Sequence, residues 1–586
     1  MINLDMARIF DEIADILELK GGKGLSSTEI RGLQFKIRAY RRAARTLDTI
    51  RQDLKVIAER GGVSELKKIP GVGEGIAKKI LEIAKTGDCK THRALKEEVP
   101  AGPLELLAIP RVGPKTIAKV HDEIGINSIE QLEEAAKSHK LERISGLGAK
   151  VEENILKGIE QYRRYKGRKL LSEALPRAES IVHELKKLDA VERITIAGSL
   201  RRWRETIGDI DILVVSRRPK EVMDAFTRLD GIEDIVAKGD TKSSIVLKGI
   251  DVDLRVVDAS SFGAAAHYFT GSKHHNIRIR ELGVRKGLKI NEYGVFRGEE
   301  RIGGENEGDV FKNVGLAYIP PELREDRGEV EAAKENRIPK LVEPNDIKGD
   351  LHVHTNWSDG KNSIEEMAET AISLGYEYVA VADHSPAVGI AGGMNEDKVK
   401  KREKEIEGLN TRFENEGVDF RVLAASEVDI KSDFSMDFPD AILKSLDVVV
   451  GAVHSKFSQG RATMTQRIVT AMENEHVDII AHPTGRVLGK REPYEVDMER
   501  LMEVARDTGT VMELNSFPNR LDLNDVHCRM AKDYGVLIAI STDAHDATQM
   551  GAVIKYGVAT AKRGWLEAKD VVNTRRLLEM RELVKG

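Results

Sequence analysis

Histidine, aspartate and glutamate recur at the carboxyl ends of short apolar runs in the second half of the chain. Seven runs between Gly349 and Ala547 have the length and composition of buried strands. Six of them carry or precede candidate metal ligands, and the run that ends at Asn515 supplies none. The candidates are His352, His354, Asp359, His384, Glu427, His454, His482, Asp543 and His545. Parallel strands of a βα barrel bring their carboxyl ends together, and a pocket this rich in imidazole and carboxylate requires cations.

A single histidine at a strand end is more often an ordinary core or surface residue than a metal ligand. The chain has 15 His, of which eight lie beyond residue 349 and six of those follow apolar runs. This placement favours a metal centre for the group as a whole. His476 and His527 fall in helical or loop sequence and are not included.

A second set of carboxylates lies in the middle of the chain. An apolar strand is predicted at 194–197 and is followed by Gly-Ser-Leu-Arg-Arg, then by Gly-Asp-Ile-Asp. Residues two apart in a strand share one face, so Asp209 and Asp211 point to the same side. A later apolar run offers Asp253. Three such carboxylates could bind two Mg²⁺ ions for in-line phosphoryl transfer, and unpaired carboxylates in apolar strands need that compensation.

One short motif occurs three times in the first 150 residues. Ile-Pro-Gly-Val-Gly at residue 69, Ile-Pro-Arg-Val-Gly at 109 and Ile-Ser-Gly-Leu-Gly at 144 each precede an apolar helical pattern. Such a turn directs backbone N–H groups at a helix start, where they can hold a phosphate oxygen without reading a base. The predicted DNA contacts are at Gly71, Gly73, Gly113, Gly146 and Gly148, and Arg111 departs from the pattern.

Composition sets limits on the class of protein. The chain has 586 residues, which is enough for several domains, and a net charge of −5. Residues 1–169 hold 33 basic and 25 acidic side chains, which favours a polyanionic partner. Two cysteines exclude a disulfide framework. No apolar stretch reaches the length of a membrane span and the first residues do not form a signal peptide, so we expect a cytoplasmic enzyme that contacts no membrane.

These motifs resemble those of a known family. The Gly-Ser-x-Arg-Arg and Gly-Asp-Ile-Asp pair is similar to the nucleotidyltransferase core of family X DNA polymerases, and Tyr-Phe-Thr-Gly-Ser at 268–272 is similar to their nucleotide-binding segment. Residues 349–586 resemble the polymerase-and-histidinol-phosphatase domain, abbreviated PHP. The order of motifs resembles that of bacterial and archaeal family X polymerases with a C-terminal PHP domain.

The resemblance implies roles in nucleotide addition. Asp209 and Asp211 would bind both metals, Mg²⁺ or Mn²⁺, and Asp253 would bind the catalytic metal and accept the proton of the primer hydroxyl. Deoxynucleoside triphosphates would be the substrate. The residues implied to hold them are Ser199, Arg202, Arg168, Tyr268, Phe269, Gly271 and Asn276. Eukaryotic repair members have Arg two residues before the third Asp, whereas this chain has Asp251.

The resemblance also implies a trinuclear site in the PHP domain. The first metal would be held by His352, His354, Glu427 and Asp543. The second would be held by Asp359, His384 and His545, and the third by Glu427, His454 and His482. Zn²⁺ or Mn²⁺ is expected, because imidazole-rich sites favour them over Mg²⁺.

A lyase activity is left open. In repair members of the family, a Lys after the first hairpin forms a Schiff base with deoxyribose phosphate, and Lys79 occupies that position with Lys78 beside it. Tyr40 matches the tyrosine of that pocket, while Gly75 stands where a supporting Lys is expected. Phosphate docking by ordinary surface lysines is the alternative.

The expected architecture is a helical helix-hairpin-helix region, an α+β nucleotidyltransferase palm and a distorted (β/α)7 barrel. The predicted domains are a hairpin domain at 1–85, a fingers-like domain at 86–165, a palm at 166–258, a thumb-like nucleotide-binding domain at 259–320, a charged linker at 321–348 and the PHP barrel at 349–586.

Two functions remain in competition. The first is a monomeric, gap-filling DNA repair polymerase whose PHP domain is a metal-dependent 3′–5′ exonuclease. The second is a metal-dependent phosphoesterase that its front domains dock to DNA. The intact Asp209, Asp211 and Asp253 favour the first. Cleavage at abasic sites or of terminal 3′ phosphates by the barrel stays open.

Overall fold

The computed structural model describes residues 2–21, 26–49, 54–69, 71–109 and 112–584, which form two compact units. The first unit is Met1–Lys166 and the second is Gly167–Gly586. The first unit is entirely helical over its described residues. Its helices are Ile2–Lys20, Ser27–Thr49, Leu54–Leu66, Glu74–Thr86, Lys90–Glu97, Ala101–Leu106, Pro114–Ile124, Ile129–Lys137, a 3-10 turn Leu141–Arg143, and Ala149–Tyr165.

Two hydrophobic cores lie within this helical unit. One gathers apolar side chains from residues 6–89, with Phe10 and Leu47 fully buried. The other gathers side chains from Leu19 and from residues 106–159. The first core extends to Cys89, with Leu95 packed against it, past the limit of residue 85 predicted for the hairpin domain.

The second unit begins with a twisted five-stranded sheet. Its strands, in spatial order, are Arg193–Ile196, Asp209–Val215, Ile250–Val257, Lys242–Leu247 and Ile232–Lys238. Only the second and third of these strands are parallel to each other. Helices Leu171–Lys186 and Pro219–Phe226 share one core with Ile210, Ile212 and Val214, which leaves the opposite face of the strand to its aspartates.

A smaller α+β region follows the palm sheet. Its helices are Phe262–Thr270, Lys273–Arg285 and Glu307–Val314, and its antiparallel strands are Leu288–Asn291, Gly294–Arg297 and Glu300–Gly303. Two short strands, Lys169–Leu170 and Thr206–Ile207, pair beside the palm.

Residues 321–348 are not an exposed linker, so that prediction is wrong. They form turns Pro321–Leu323 and Pro344–Asp346 and helix Glu329–Lys334, and their apolar side chains join the core of the preceding region. Arg324 and Glu329 are fully buried, because Arg324 pairs with Glu307 and Glu329 with His275. The paired charges made the segment look solvated in the sequence.

The last part of the chain is a barrel of seven parallel strands in sequence order. The strands are Gly349–Val353, Tyr378–Val381, Arg421–Asp429, Val448–Ala452, Ile479–Ile480, Val511–Asn515 and Ile538–Ser541. A single bridge between Val353 and Ala544 brings the first strand to the last, so the barrel is nearly closed. This confirms the predicted (β/α)7 architecture.

Helices pack around the barrel and bury the outer faces of its strands. The main ones are Ile364–Ser373, Glu396–Glu416, Arg461–Met472, Met498–Thr508, Asp525–Tyr534 and Ala547–Arg563. Helix Leu577–Leu583 instead contributes Met580 to the core inside the barrel. The strands are apolar on both faces because a second core fills the interior, with Leu351, Ala380 and Val450 fully buried. Within the part of the chain that the structure describes, no helix is long and apolar enough to cross a bilayer.

Candidate active sites and DNA-binding turns

The palm brings its three predicted carboxylates to one face of the sheet. Asp211 lies opposite Asp253 on adjacent parallel strands, and Asp209 lies opposite Asp251 in the same register. Asp209 is exposed, while Asp211 and Asp253 are half-buried. Burial, together with the charges of Asp209 and Asp253, raises the pKa of Asp211 to about 7. A carboxylate group this crowded is suited to divalent cations, which would remove the repulsion.

Asp253 is also held from the neighbouring strand. Ser244 donates a hydrogen bond of 2.5 Å from Oγ to Asp253 Oδ1, and the Nζ atom of Lys242 lies 3.0 Å from Asp253 Oδ2. A cation beside Asp253 therefore comes from the adjacent strand, as Lys242. Asp251, which lies two residues before Asp253 at the position where eukaryotic members have Arg, is exposed.

The Gly-Ser turn passes directly beside the carboxylates. Gly198 has a φ of +64°, and a Cβ atom there would lie 2.4 Å from Asp211 Oδ2. A side chain at this position would therefore push the Asp211 carboxylate aside. Ser199 follows on the same short helix and is partly exposed. Glycine is required here because the turn must approach Asp211 closely.

Two of the predicted nucleotide-binding arginines are fixed by carbonyl and carboxylate partners. Arg202 donates from Nε to Glu325 Oε1 at 3.0 Å and from Nη1 to the carbonyl of Thr270. Arg168 donates from Nε to Thr206 Oγ1 at 2.9 Å and from Nη2 to the Thr206 carbonyl. Both guanidinium groups are thus oriented by the protein near the turn and the carboxylates.

The segment at 268–276 lies beside Arg202. The rings of Tyr268 and Phe269 meet edge to face with centroids 5.1 Å apart, and Arg255 lies 4.6 Å above the Phe269 ring. Asn276 donates from Nδ2 to the Tyr268 carbonyl at 2.7 Å, while its Oδ1 is buried without a hydrogen-bond partner. Gly271, with a φ of +68°, lets the chain turn next to Arg202.

The barrel brings all nine predicted ligands into one cluster at the carboxyl ends of its strands. Glu427 is central: its Oε1 lies 2.8 Å from His482 Nε2 and 3.1 Å from His454 Nε2, and its Oε2 lies 2.9 Å from His384 Nδ1. His354 Nε2 lies 3.2 Å from Asp543 Oδ1, and His545 Nε2 lies 3.2 Å from Asp359 Oδ2.

Three subsets have their ligand atoms close enough to share an ion. They are His354, Asp359, His384 and His545; then His352, His354 and Asp543; and finally His384, Glu427 and His454. His482 Nε2 also approaches Glu427, as the third predicted subset requires. Most of these residues are buried, so their ligand atoms are shielded from bulk solvent.

Several atoms in this cluster make sense only with cations present. His352 Nε2 and His354 Nε2 face each other at 3.1 Å, where at most one of the two nitrogens can donate a proton. The Nδ1 atoms of His354 and His482 are buried without hydrogen-bond partners. The donor set of imidazole and carboxylate fits Zn²⁺ or Mn²⁺ and would satisfy the facing nitrogens.

The charges of the cluster also favour the presence of cations. Burial lowers the pKa of His454, but Glu427 and Asp429 outweigh burial and raise it to about 9. Burial and the charge of Arg520 lower the pKa of His482 to about 4. Burial would raise the pKa of Glu427, yet the surrounding imidazoles hold it well below its usual range. Without cations, protonated histidines must balance the carboxylates.

The sequence interpretation missed a group of residues that orient the ligands. Glu513 lies on the strand assigned no ligand, is fully buried, and its Oε1 is 2.7 Å from His352 Nδ1. Its Oε2 accepts from the backbone N–H of His482 at 2.7 Å. Asp429 accepts from the His454 backbone N–H at 3.0 Å. The polar residue inside an apolar strand was the signal that could have identified Glu513.

The three repeated motifs in the helical unit form the same turn. Backbone N–H groups of Val72, Val112 and Leu147 donate to the carbonyls of Ile69, Ile109 and Ile144, at 3.0, 3.3 and 2.9 Å. Gly73, Gly113 and Gly148 then precede helices Glu74–Thr86, Pro114–Ile124 and Ala149–Tyr165 as caps that make no side-chain hydrogen bond. Gly71 and Gly146 both have a φ of +80°. Arg111 lies outside the described residues.

Lys79 and Lys78 lie in different surroundings on the first of these helices. Lys79 Nζ is 6.0 Å from the centroid of the Tyr40 ring and donates to the Gly75 carbonyl at 3.5 Å. Lys78 instead pairs with Glu74 at 2.7 Å. The ring of Tyr40 stacks on Phe10 with centroids 5.9 Å apart. Of these two lysines, Lys79 is therefore the one that lies near Tyr40, the predicted pocket tyrosine.

Comparison with known families assigns each region. A helix-hairpin-helix domain matches residues 1–89, and a SAM-like helix-hairpin-helix tandem matches 103–161. The DNA polymerase beta thumb matches 265–325, which includes the start of the segment predicted as a linker. The PHP domain matches 350–516. The fold and its two sites define a nucleotidyltransferase of the polymerase beta class joined to a PHP barrel.

Individual relatives agree with this class. The chain is 38% identical over 589 residues to the DNA polymerase/3′-5′ exonuclease PolX of Bacillus subtilis (strain 168), covering 99% of each chain. It is 25% identical to rat DNA polymerase lambda over 328 residues, which is 50% of this chain and 53% of the relative. A probable phosphatase of Thermoanaerobacter sp. (strain X514) is 29% identical over 214 residues, 34% of this chain and 80% of the relative. The chain belongs to the family X DNA polymerases that carry a C-terminal PHP domain.

Proposed function

We propose that this chain is a DNA repair polymerase that fills gaps and whose PHP barrel is a metal-dependent 3′–5′ exonuclease. The observation that supports it most is the presence of two complete and separate ligand sets on two domains. One is the opposed pair Asp211 and Asp253 in the palm, and the other is the cluster around Glu427 in the barrel. Both would act on phosphodiester chemistry at a DNA 3′ end.

In the palm, Asp209 and Asp211 would hold two Mg²⁺ or Mn²⁺ ions, and Asp253 would share one of them. When bound, such ions activate a hydroxyl and neutralise a triphosphate. Asp253, held by Ser244, would take the proton of the primer 3′ hydroxyl. Ser199, Arg202 and Arg168 would hold the triphosphate of the incoming deoxynucleotide at the turn, where fixed positive charge is needed.

The segment after the palm would select the nucleotide. Tyr268 and Phe269 would line the sugar and exclude a ribose. Asn276, whose Oδ1 is buried without a partner, would reach the base edge, and Gly271 would allow the close turn. These roles are tested by comparing dNTP with rNTP incorporation by Tyr268→Ala and Asn276→Ala variants.

In the barrel, nine residues would hold three ions, Zn²⁺ or Mn²⁺. These are His352, His354, Asp359, His384, Glu427, His454, His482, Asp543 and His545. Such ions supply a nucleophile near neutral pH and charge for the phosphate. Cleavage at abasic sites is a second use of the same residues. Metal analysis of the purified chain, with His354→Ala as the comparison, tests the count and the identity of the ions.

The helix-hairpin-helix turns would hold DNA by its backbone. Gly71, Gly73, Gly113, Gly146 and Gly148 leave N–H groups at helix starts open to phosphate oxygens. Binding would be independent of sequence and strongly dependent on salt. The working species would be a monomer in the cytoplasm. The proposed domains keep the predicted limits, except that residues 321–348 belong to the thumb-like region.

A 5′-deoxyribose phosphate lyase is a second candidate function, favoured by one observation. Lys79, and not Lys78, lies beside the Tyr40 ring, in the position expected for a Schiff-base nucleophile. By contrast, a phosphoesterase merely docked to DNA gives no reason for the opposed carboxylates of the palm.

The test of the main proposal is extension of a labelled primer across a short gap with each dNTP, with Mg²⁺ and with Mn²⁺. The same preparation is assayed for shortening of a 3′-recessed strand. Gap filling with all four nucleotides, together with metal-dependent loss of 3′ nucleotides, supports it. Hydrolysis without any nucleotide addition would favour the docked phosphoesterase.

A further inference from the structure

We infer that Arg563 of the barrel is a positioning residue for nucleotide addition, because it fixes the polymerase turn that carries Arg202. The inference rests on the proposed polymerase function and adds to it a role for the PHP barrel in binding the nucleotide. In this reading the barrel is a structural part of the polymerase active site as well as the site of a second activity.

Arg563 connects the two sites' domains through three acceptors. Its Nη1 donates to the backbone carbonyl of Arg202 at 2.7 Å and to Glu325 Oε1 at 3.0 Å. Its Nη2 donates to Asp525 Oδ2 at 2.6 Å. Glu325 Oε1 also accepts from Arg202 Nε at 3.0 Å, so one carboxylate oxygen is shared between the barrel arginine and the nucleotide-binding arginine.

This network of hydrogen bonds is buried, so its donors and acceptors must satisfy one another. The Arg563 side chain is 4% exposed and the Glu325 side chain is 12% exposed. Burial would raise the pKa of Glu325, but Arg563 and Arg202 outweigh it and lower the pKa below its usual range. Removal of Arg563 would take one buried donor from the Arg202 carbonyl and one from Glu325, whose other donor is Arg202 itself, so the turn would rearrange to reach water.

The same turn touches the barrel at two further points. The rings of Trp203 and Tyr556 meet edge to face with centroids 6.4 Å apart. Arg486 donates to Glu205 Oε2 at 2.8 Å. One side of the turn faces the Asp211 carboxylate, and the other side rests on the barrel. A change at Arg563 therefore reaches the phosphate-binding residues without touching the metal-facing carboxylates.

Arg563 is remote from the exonuclease ligands along its own helix. It ends helix Ala547–Arg563, whereas Asp543 and His545 come just before the helix begins. A 17-residue helix spans about 25 Å at 1.5 Å per residue. The exonuclease site of an Arg563 variant thus serves as an internal control for correct folding.

The experiment compares full-length Arg563→Met, Arg563→Lys and Lys562→Met with wild type. Lys562 is the matched control: it pairs with Glu322 and Glu343 at 3.0 Å from the same helix but has no contact with Arg202. Steady-state primer extension gives KM for dNTP and kcat, and hydrolysis of a 3′-recessed strand gives the exonuclease rate. Calorimetric titration of dATP with Mg²⁺ into the protein–DNA complex measures binding without turnover.

For Arg563→Met we expect the KM and Kd for dNTP to rise roughly tenfold or more, because a buried charge-assisted contact is lost. We expect kcat to change much less and the exonuclease rate to stay at the wild-type value. Arg563→Lys should recover part of the affinity, and Lys562→Met should match wild type.

An unchanged dNTP Kd in a folded Arg563→Met would overturn the inference, as would an equal rise in Lys562→Met. If Arg563→Met does not fold, Glu325→Gln replaces it and must show the same selective rise in Kd. A wild-type chain that adds no nucleotide rejects the proposed function, whereas a wild type that polymerises beside an unaffected Arg563→Met rejects this inference alone.

Discussion

Asp211 and Asp253 lie directly opposite each other on two parallel strands, so their carboxylates share one face of the palm sheet. Replacing Asp253 by Asn keeps the size of the side chain and removes the charge that binds metal and accepts the proton. We expect nucleotide addition to fall at least about a thousandfold, since metal positioning and proton transfer are both lost. Single-nucleotide gap filling measures the rate, and gel-shift titration should show that gapped DNA still binds. Normal synthesis by Asp253→Asn would contradict the assignment.

The raised pKa of Asp211 predicts how pH affects the stability of the metal-free protein. The pKa of Asp211 moves from 3.8 to about 7 in the fold. As pH rises, the unfolded chain therefore loses this proton before the folded chain does. The contribution of protonated Asp211 to the free energy of unfolding declines from about pH 4 and is gone above about pH 7. The stability of Asp211→Asn should not show this decline as pH rises. In EDTA, the Tm of the variant minus that of wild type should grow between pH 5 and pH 8.

Mg²⁺ should reverse the effect in wild type and leave Asp211→Asn unaffected. The stabilisation by Mg²⁺ should be greater at pH 8 than at pH 5, because the ion binds the ionised carboxylates. A difference in Tm between the two proteins that shrinks as pH rises would contradict the location of this proton.

Glu513 should be needed for hydrolysis and not for synthesis. It is 2.7 Å from His352 Nδ1 and fixes that ring through a carboxylate, while having no contact with the palm. Glu513→Gln keeps the shape but weakens the hold on the ring, so we expect roughly a 10- to 100-fold loss of exonuclease activity. Exonuclease and primer-extension rates of one preparation give the comparison. Glu503→Gln is the control and should change neither rate, because the Glu503 side chain is 45% exposed on the solvent side of helix Met498–Thr508.

Lys79 should be the residue that traps an incised abasic substrate. Borohydride reduction should link the wild-type protein to 5′-deoxyribose phosphate DNA, because Lys79 is near Tyr40 and Lys78 is engaged with Glu74. Lys78→Ala should trap normally and Lys79→Ala should trap little. Equal trapping by both variants would assign the reaction to another lysine, and no trapping by wild type would exclude the lyase.

Strand and ligand positions in the barrel were predictable because six of the seven apolar runs carry a polar ligand or precede one. All seven predicted strands are present, and the nine ligands lie in one cluster. Glu513 was missed because it acts through His352, and that contact depends on how the strands are arranged in the fold. In the palm, the two-residue period of a strand predicted that Asp209 and Asp211 share one face. The ion pair between Lys242 and Asp253 could not be predicted without knowing the order of the strands in the sheet.

Contacts between distant parts of the chain could not be predicted in this way. Arg563 and Arg202 are separated by 361 residues, and neither neighbourhood carries a motif for the other. Residues 321–348 looked like a linker because their charges are many, yet Arg324 and Glu329 are buried by partners elsewhere in the fold. Local composition cannot distinguish a solvated charge from a paired one.

The central claim is that synthesis and hydrolysis belong to separate metal sites, and one measurement tests it directly. Degradation of a 3′-recessed strand is followed for wild type, His354→Ala and Asp211→Ala in parallel with Mn²⁺, and primer extension is followed on the same samples. We predict that His354→Ala loses degradation and keeps extension, while Asp211→Ala loses extension and keeps degradation. Loss of degradation in Asp211→Ala but not in His354→Ala would contradict the account, since the barrel would then be structural only.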